Sequence, residues 1–289
     1  MEYSAMKNPE DIRDTQLEEN YWPNFEKIWT SLLTYRYLGR INPILDEGVN
    51  ETTMPLRHDM RNAQGGIMAA PLSIAAAECG GMSDDLYIPN PLSASLQIID
   101  TAEGVDRVKV IPEVVKIGRS MGFSRSKIVD ANNESRVIAI SSGSAISLGT
   151  PPAGYKKVYN PPIEVEDTPD MPRLHKVFGA TQIECGVWQL AAIDLSSASP
   201  DAALHLGPQH ITLEAAATDL AKEAAASKAV QVCQWQISFV ARGKVGPFRT
   251  QGNAYKSHAG DIIAVELVLL DCGNENRVIT MASGLFKQV

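Results

Sequence analysis

A few residues of this chain have types and spacing suited to chemistry. A diglycine, Gly65-Gly66, follows Gln64 and opens a run of small residues, 64-QGGIMAAPLSIAAAEC-79. Glycines at the start of a helix let a ligand approach closely. They also leave the Gly66 backbone N–H as a donor, reinforced by the helix-end field, where negative charge develops in a reaction. A second run, 209-QHITLEAAATDLAKEAAA-226, carries His210 at its start, Glu214 one turn later and Asp219 two to three turns in. A carboxylate such as Asp219 can activate water or attack a carbonyl directly, an imidazole such as His210 can orient a substrate, and Gln64 can hydrogen-bond a carbonyl without titrating. Each has a plain alternative. Asp219 can pair with Lys222 at i+3 on a solvated face, His210 can be a residue of a polar helix start, Gly65-Gly66 can be a packing turn, and Glu214 reads as a surface residue. Glu78 is a candidate displaced acid, whereas Ser73 has no histidine near it in sequence to make it a nucleophile. The five histidines are scattered without an HxxxH pair, so no metal site is expected.

These groups must be positioned by elements that occur twice. In the first half, the small-residue helix precedes strand patterns at 92–100, 107–117, 121–130 and 136–147. In the second, a strand-like stretch at 182–195 and the helix from about Gln209 precede strands at 230–242, 246–257, 261–272 and 277–288. SLQII matches QWQIS, and the run from Ile128 to Ala145 matches Leu269 to Phe286 with NES-R and NEN-R turns in the same place. A lone helix cannot cover both faces of a large sheet, so the two halves are expected to join, burying edges that would otherwise be exposed. The segments read as an N-terminal helical arm (1–40) packing on the first domain, a first domain (41–148), a proline- and charge-rich linker (149–174) and a second domain (175–289). Pro23 interrupts the helical spacing of the arm.

The bulk properties narrow the function. With 289 residues, of which 44% are hydrophobic, the chain can bury a substantial core, and a net charge of -8 argues against bulk nucleic-acid or anionic-membrane binding. No apolar stretch is long enough to span a membrane, and the first residues have no signal-peptide core. Cys79, Cys185, Cys233 and Cys272 form no CxxC pair and read as buried free thiols. The expected location is a reducing one, the cytoplasm.

The paired order of helix and meander resembles the hotdog fold in tandem, α+β in class, as two antiparallel sheets each wrapping a central helix. Within it the chain is most similar to acyl-CoA thioesterases of the phenylacetate-degradation type, over nearly all of its length except the arm and linker. That family places G-x-x-H-G-G at the helix start and an aspartate nine residues after the histidine. The second half retains Gly207, His210 and Asp219, with Ile211 and Thr212 at the diglycine. The first half retains Gly65 and Gly66, with Gln64 at the histidine position and Ser73 at the aspartate position.

The resemblance implies thioester hydrolysis at a site shared between halves. Gly65, Gly66 and Gln64 would face Asp219, with Asp219 as base or nucleophile, His210 orienting the thioester and the Gly66 amide as oxyanion donor. The reciprocal site, His210 and Ile211 with Ser73, lacks the acid and is expected to be dead or altered. No cofactor is implied beyond coenzyme A as part of the substrate, whose phosphates Arg119, Arg125, Arg242, Lys244 and Arg249 are placed to meet. The expected assembly is a homodimer of such chains. Two alternatives stay open: a hydratase or dehydratase acting on acyl-CoA, and a non-catalytic acyl-CoA binder.

Overall fold

A computed structural model describes residues 21–43, 48–77, 89–150, 158, 160–227 and 229–289. Among the described residues, eleven strands form one antiparallel sheet. The first half supplies β1 (Thr52–Pro55), β2 (Pro89–Ile98), β3 (Arg107–Ile117), β4 (Met121–Asp130) and β5 (Asn133–Ser147). The second supplies β6 (Thr181–Glu184), β7 (Val187–Leu190), β8 (Val230–Phe239), β9 (Phe248–Lys256), β10 (Ile262–Asp271) and β11 (Arg277–Gln288). The order across the sheet is β1-β3-β4-β5-β2-β8-β11-β10-β9-β7-β6. Alternation drives it: along β10 every second residue from Ile263 to Leu269 is buried and apolar, so that face must be covered.

The two expected sheets are thus one. β2 and β8 pair antiparallel from Ser93↔Ser238 to Gln97↔Gln234, which satisfies two strand edges at once. Leu96 pairs with Trp235, and these residues also correspond in the internal sequence match, so the pseudo-two-fold axis of the repeat passes through this pair.

Two helices lie on the covered face. α5 (Leu206–Ala225) packs on β7 to β11, the shorter α3 (Ala69–Ala75) packs on β2 and against α5, and a single turn, α4 (Leu174–Val177), also packs against α5. The small side chains of α5 are buried along most of its length, which lets the sheet curve closely around it. The expected first helix is shorter than its small-residue run. Residues 61 and 67 form a bridge, and the Ile67 N–H donates to Thr101 O, so backbone up to 67 is committed elsewhere. Glu78 and Cys79 lie outside the described residues. The stretch at 182–195 is two short strands, because Gly186 turns the chain at a φ of 71°.

The arm forms α1 (Tyr21–Ser31), with Pro23 tolerated in its first described turn, and α2 (Leu33–Leu38). It packs on both halves rather than on the first alone. The Leu33 N–H donates to Ser196 O at 2.9 Å, and the Tyr35 ring meets His205 edge-on, while Arg40 Nε donates to Ala75 O at 2.9 Å. Gly207 permits this approach, since a Cβ there would lie 2.3 Å from Thr34 side-chain atoms. The expected linker is also tied down: Ile163 N–H donates to Arg36 O, and Asp167 accepts from the His58 backbone N–H at 2.9 Å.

Candidate functional site

The turn before α3 is held by one side chain. Asn62 Oδ1 accepts from the N–H groups of Gln64 (2.9 Å) and Gly66 (3.0 Å), and Asn62 N–H donates to Gly66 O. The Asn62 amide reaches across the seam to Gln231 Oε1 at 2.6 Å. The Gly66 N–H is therefore engaged within the turn. This corrects the expectation of a donor facing a ligand: the preceding asparagine competes successfully for it. Gly66 is buried, and a Cβ there would fall 1.9 Å from Gln231 Oε1.

Gln64 and Asp219 line one cavity of about 170 Å³ between the halves. Its partly or fully exposed wall is polar, with Gln64, Arg173, His175, Asp219 and Lys222, whereas its buried wall is Ile67, Leu174, Ile211, Val232 and Phe286. Neither Gly65 nor Gly66 is part of the lining. Asp219 does not pair with Lys222. Its Oδ2 accepts from Gln182 Nε2 and Trp188 Nε1, both at 2.7 Å, and none of the described residues donates to its Oδ1. One oxygen is anchored by two donors and the other is left as a hydrogen-bond acceptor. Asp219 and Lys222 also line an outer, open groove of about 440 Å³ with Gln182, Cys185, Glu223 and Ser227, so they stand where cavity and groove meet.

One carboxyl breaks the apolar wall. Glu214 is 1% exposed, not a surface residue, and its two oxygens accept from the Ala69 and Ala70 N–H groups, each at 2.6 Å. Burial raises its pKa to about 7; the two hydrogen bonds favour the ionised form but do not offset the loss of solvent. Glu214 thereby ties the first turn of α3 to α5. A signal for it existed in the sequence, a lone acid inside ITLEAAA, flanked by Leu213 and Ala215 and with Ile211 and Ala217 three residues away on either side. His175 and Trp188, which pack with ring centroids 4.6 Å apart, gave no such signal because they come from a different segment. Burial lowers the His175 pKa, with Lys176 adding to the effect.

His210 lies elsewhere. It is fully buried inside α5, its Nδ1 accepts from Trp235 Nε1 at 3.3 Å, and burial alone lowers its pKa to about 3. With Ser73, Phe239 and Leu206 it borders a cleft of about 30 Å³, room for little more than one water. His210 does not line the Asp219 cavity.

None of Arg119, Arg125, Arg242, Lys244 and Arg249 lines either cavity. Arg125 forms a two-pronged pair with Glu113, Arg249 donates to Gln189, and Arg242 is held by Asp201, Ser199 and Asn90. The cations at the cavity are Arg61, Arg173 and Lys222 instead. The Arg61 guanidinium is used on the carbonyls of Gly65, Ala102 and Val105.

Comparison with known proteins agrees with this architecture. No family model matches the chain, and no curated protein matches it. Among solved structures, the tesB protein of Mycobacterium avium subs paratuberculosis superposes with a TM-score of 0.57 at 12% identity, covering 92% of this chain and 99% of that one. A protein assigned as an oleoyl thioesterase from Lactobacillus plantarum gives 0.55 at 10% identity over 85% and 98%. A conserved protein of unknown function with a hot dog fold from Alicyclobacillus acidocaldarius gives 0.50 at 8% identity over 89% and 97%. Over most of its length this chain is a hotdog-fold protein.

Proposed function

We propose that the protein hydrolyses acyl thioesters of the coenzyme A type, at the cavity shared by Gln64 and Asp219. The observation that carries this reading is a carboxylate anchored through one oxygen at the junction between an apolar cavity and an open groove. The acyl group lies in the cavity and the thiol arm in the groove. Asp219 takes a proton from water as the water oxygen attacks the thioester carbonyl carbon; direct attack by Asp219 is the other route open to the same geometry. Negative charge then grows on the carbonyl oxygen, where the Gln64 carboxamide donates a hydrogen bond. The Gly66 amide is held by Asn62 and would have to leave that bond to contribute. Collapse expels the thiolate, which takes up the proton. Arg173 and Lys222 stand at the mouth for the phosphates. One protein with a similar structure, that from Lactobacillus plantarum, bears a thioesterase name, which supports the reaction class.

The test is release of free thiol from a panel of acyl-CoA esters, with Asp219→Asn abolishing it. Turnover that survives this substitution overturns the assignment of Asp219. A second reading, binding without turnover, is favoured by the engaged Gly66 amide. Tight binding of acyl-CoA with no thiol released would establish it.

A further inference from the structure

We propose, resting on the thioester reading above, that the cavity selects a compact acyl group of about six carbons, or a single ring, and excludes long chains. The argument is volume and closure. An enclosed apolar cavity of about 150 Å³ holds a benzene-sized guest, and this one measures about 170 Å³. Its far wall has no outlet, because Ile67, Ile211, Val232 and Phe286 are each at most 4% exposed. Its polar groups cluster toward the exposed side, and Asp219 belongs to both the cavity and the groove. That fixes the direction of the substrate: the scissile carbonyl sits at Asp219, the acyl group points inward and the thiol arm outward. Glu214 adds a limit. Its carboxyl is committed to the Ala69 and Ala70 amides, so a chain cannot extend by displacing it without breaking two hydrogen bonds. Phe286 and Ala215 then set the length accepted. Phe286 is the largest side chain of the buried wall after Trp188, and Ala215 is the small residue of α5 facing the same space.

The experiment measures binding of non-hydrolysable thioether analogues of acyl-CoA with two to sixteen carbons, beside turnover of the matching thioesters. Affinity is expected to rise about fourfold per methylene up to about six carbons, and the sixteen-carbon analogue to bind no better than the two-carbon one. Phe286→Ala is expected to move the optimum to longer chains, and Ala215→Leu, which fills rather than empties the space, to move it to shorter ones. Affinity that climbs steadily to sixteen carbons overturns the size limit, as does an optimum that neither variant moves while both remain folded by circular dichroism. Binding with this length profile but no thiol release refutes hydrolysis and leaves the size limit standing. Turnover that prefers long chains does the reverse.

Discussion

The internal repeat places two clefts about one pseudo-two-fold axis, and they have diverged in opposite senses. Between the Gln64 turn and α5 lies an open cavity of about 170 Å³; between His210 and α3 lies a gap of about 30 Å³. The difference traces to where each helix begins. Gln64, Gly65 and Gly66 form a turn, and α3 starts only at Ala69. Their counterparts His210, Ile211 and Thr212 lie inside α5, which starts at Leu206. Glycine disfavours helix, whereas isoleucine and threonine allow it, so the second helix extends through the region the first leaves as a turn. The amides of 210 to 212 then belong to the helix's own hydrogen-bond ladder. The His210 ring turns inward against Trp235 and Phe239. The diglycine therefore acts through the backbone: it stops a helix early enough to leave a cavity.

The strongest way to break this contrast is to disable each cleft in turn. Asp219→Asn is expected to reduce thioester turnover by about 10² to 10⁴-fold, while Ser73→Ala, at the corresponding position of the closed cleft, should change it by less than about threefold. Equal losses, read as kcat from thiol release, would mean that the two clefts do not divide the work.

The next contrast is electrostatic. Each cleft buries a titratable group that opposes ionisation, Glu214 in one and His210 in the other, and their effects on stability have opposite signs. The Glu214 pKa is raised to about 7, so the folded state holds its proton more firmly than the unfolded chain. Its contribution is fully present below about pH 4.5 and is lost as pH rises through about 7. The His210 pKa is lowered to about 3, so its contribution is present above the unfolded value near 6.5 and is lost as pH falls. Glu214→Gln removes the first and leaves the second. The wild type is expected to gain about 2 kcal/mol on the variant between pH 7.5 and pH 5, measured by urea unfolding at each pH. A gap independent of pH would show that Glu214 does not titrate in this range.

Much of the fold was legible because strands announce themselves by alternation. The bounds of β3, β4 and β11 fall where the pattern puts them, and the match of SLQII to QWQIS identifies the residues on the seam. Helix starts were less legible, because small-residue runs have no periodicity to mark where the helix begins. The join of two sheets into one follows from edges needing partners, yet nothing local in β2 or β8 names the other. At the site, Gln64 and Asp219 were readable as a pair from the repeat and its family resemblance. The capture of the Gly66 amide by Asn62 was not, since it depends on a turn geometry two residues deep. Glu214 was misread because its charge suggested surface, although its apolar neighbours indicated the interior.

The smallest effect separates the two glycines of the turn, which sequence alone treats as equivalent. Gly65 has a φ of 82° and open space where a Cβ would stand, so Gly65→Ala meets only the backbone penalty of the left-handed region, about 1 kcal/mol. At Gly66 the obstacle is steric. A Cβ would meet Gln231 Oε1 and Cδ, and that side chain cannot swing away freely, because its amide donates to Ile67 O and Val232 O while its oxygen accepts from Asn62. Gly66→Ala must break part of this network or shift the turn, which is expected to cost about 2 kcal/mol or more. It should also lower turnover, because the turn carries Gln64 to the cavity; Gly65→Ala should leave kcat close to wild type. Urea unfolding and thiol-release kinetics on both variants separate the cases. If Gly65→Ala proves the more damaging, the turn is limited by backbone strain and the seam contact at Gln231 does not hold it.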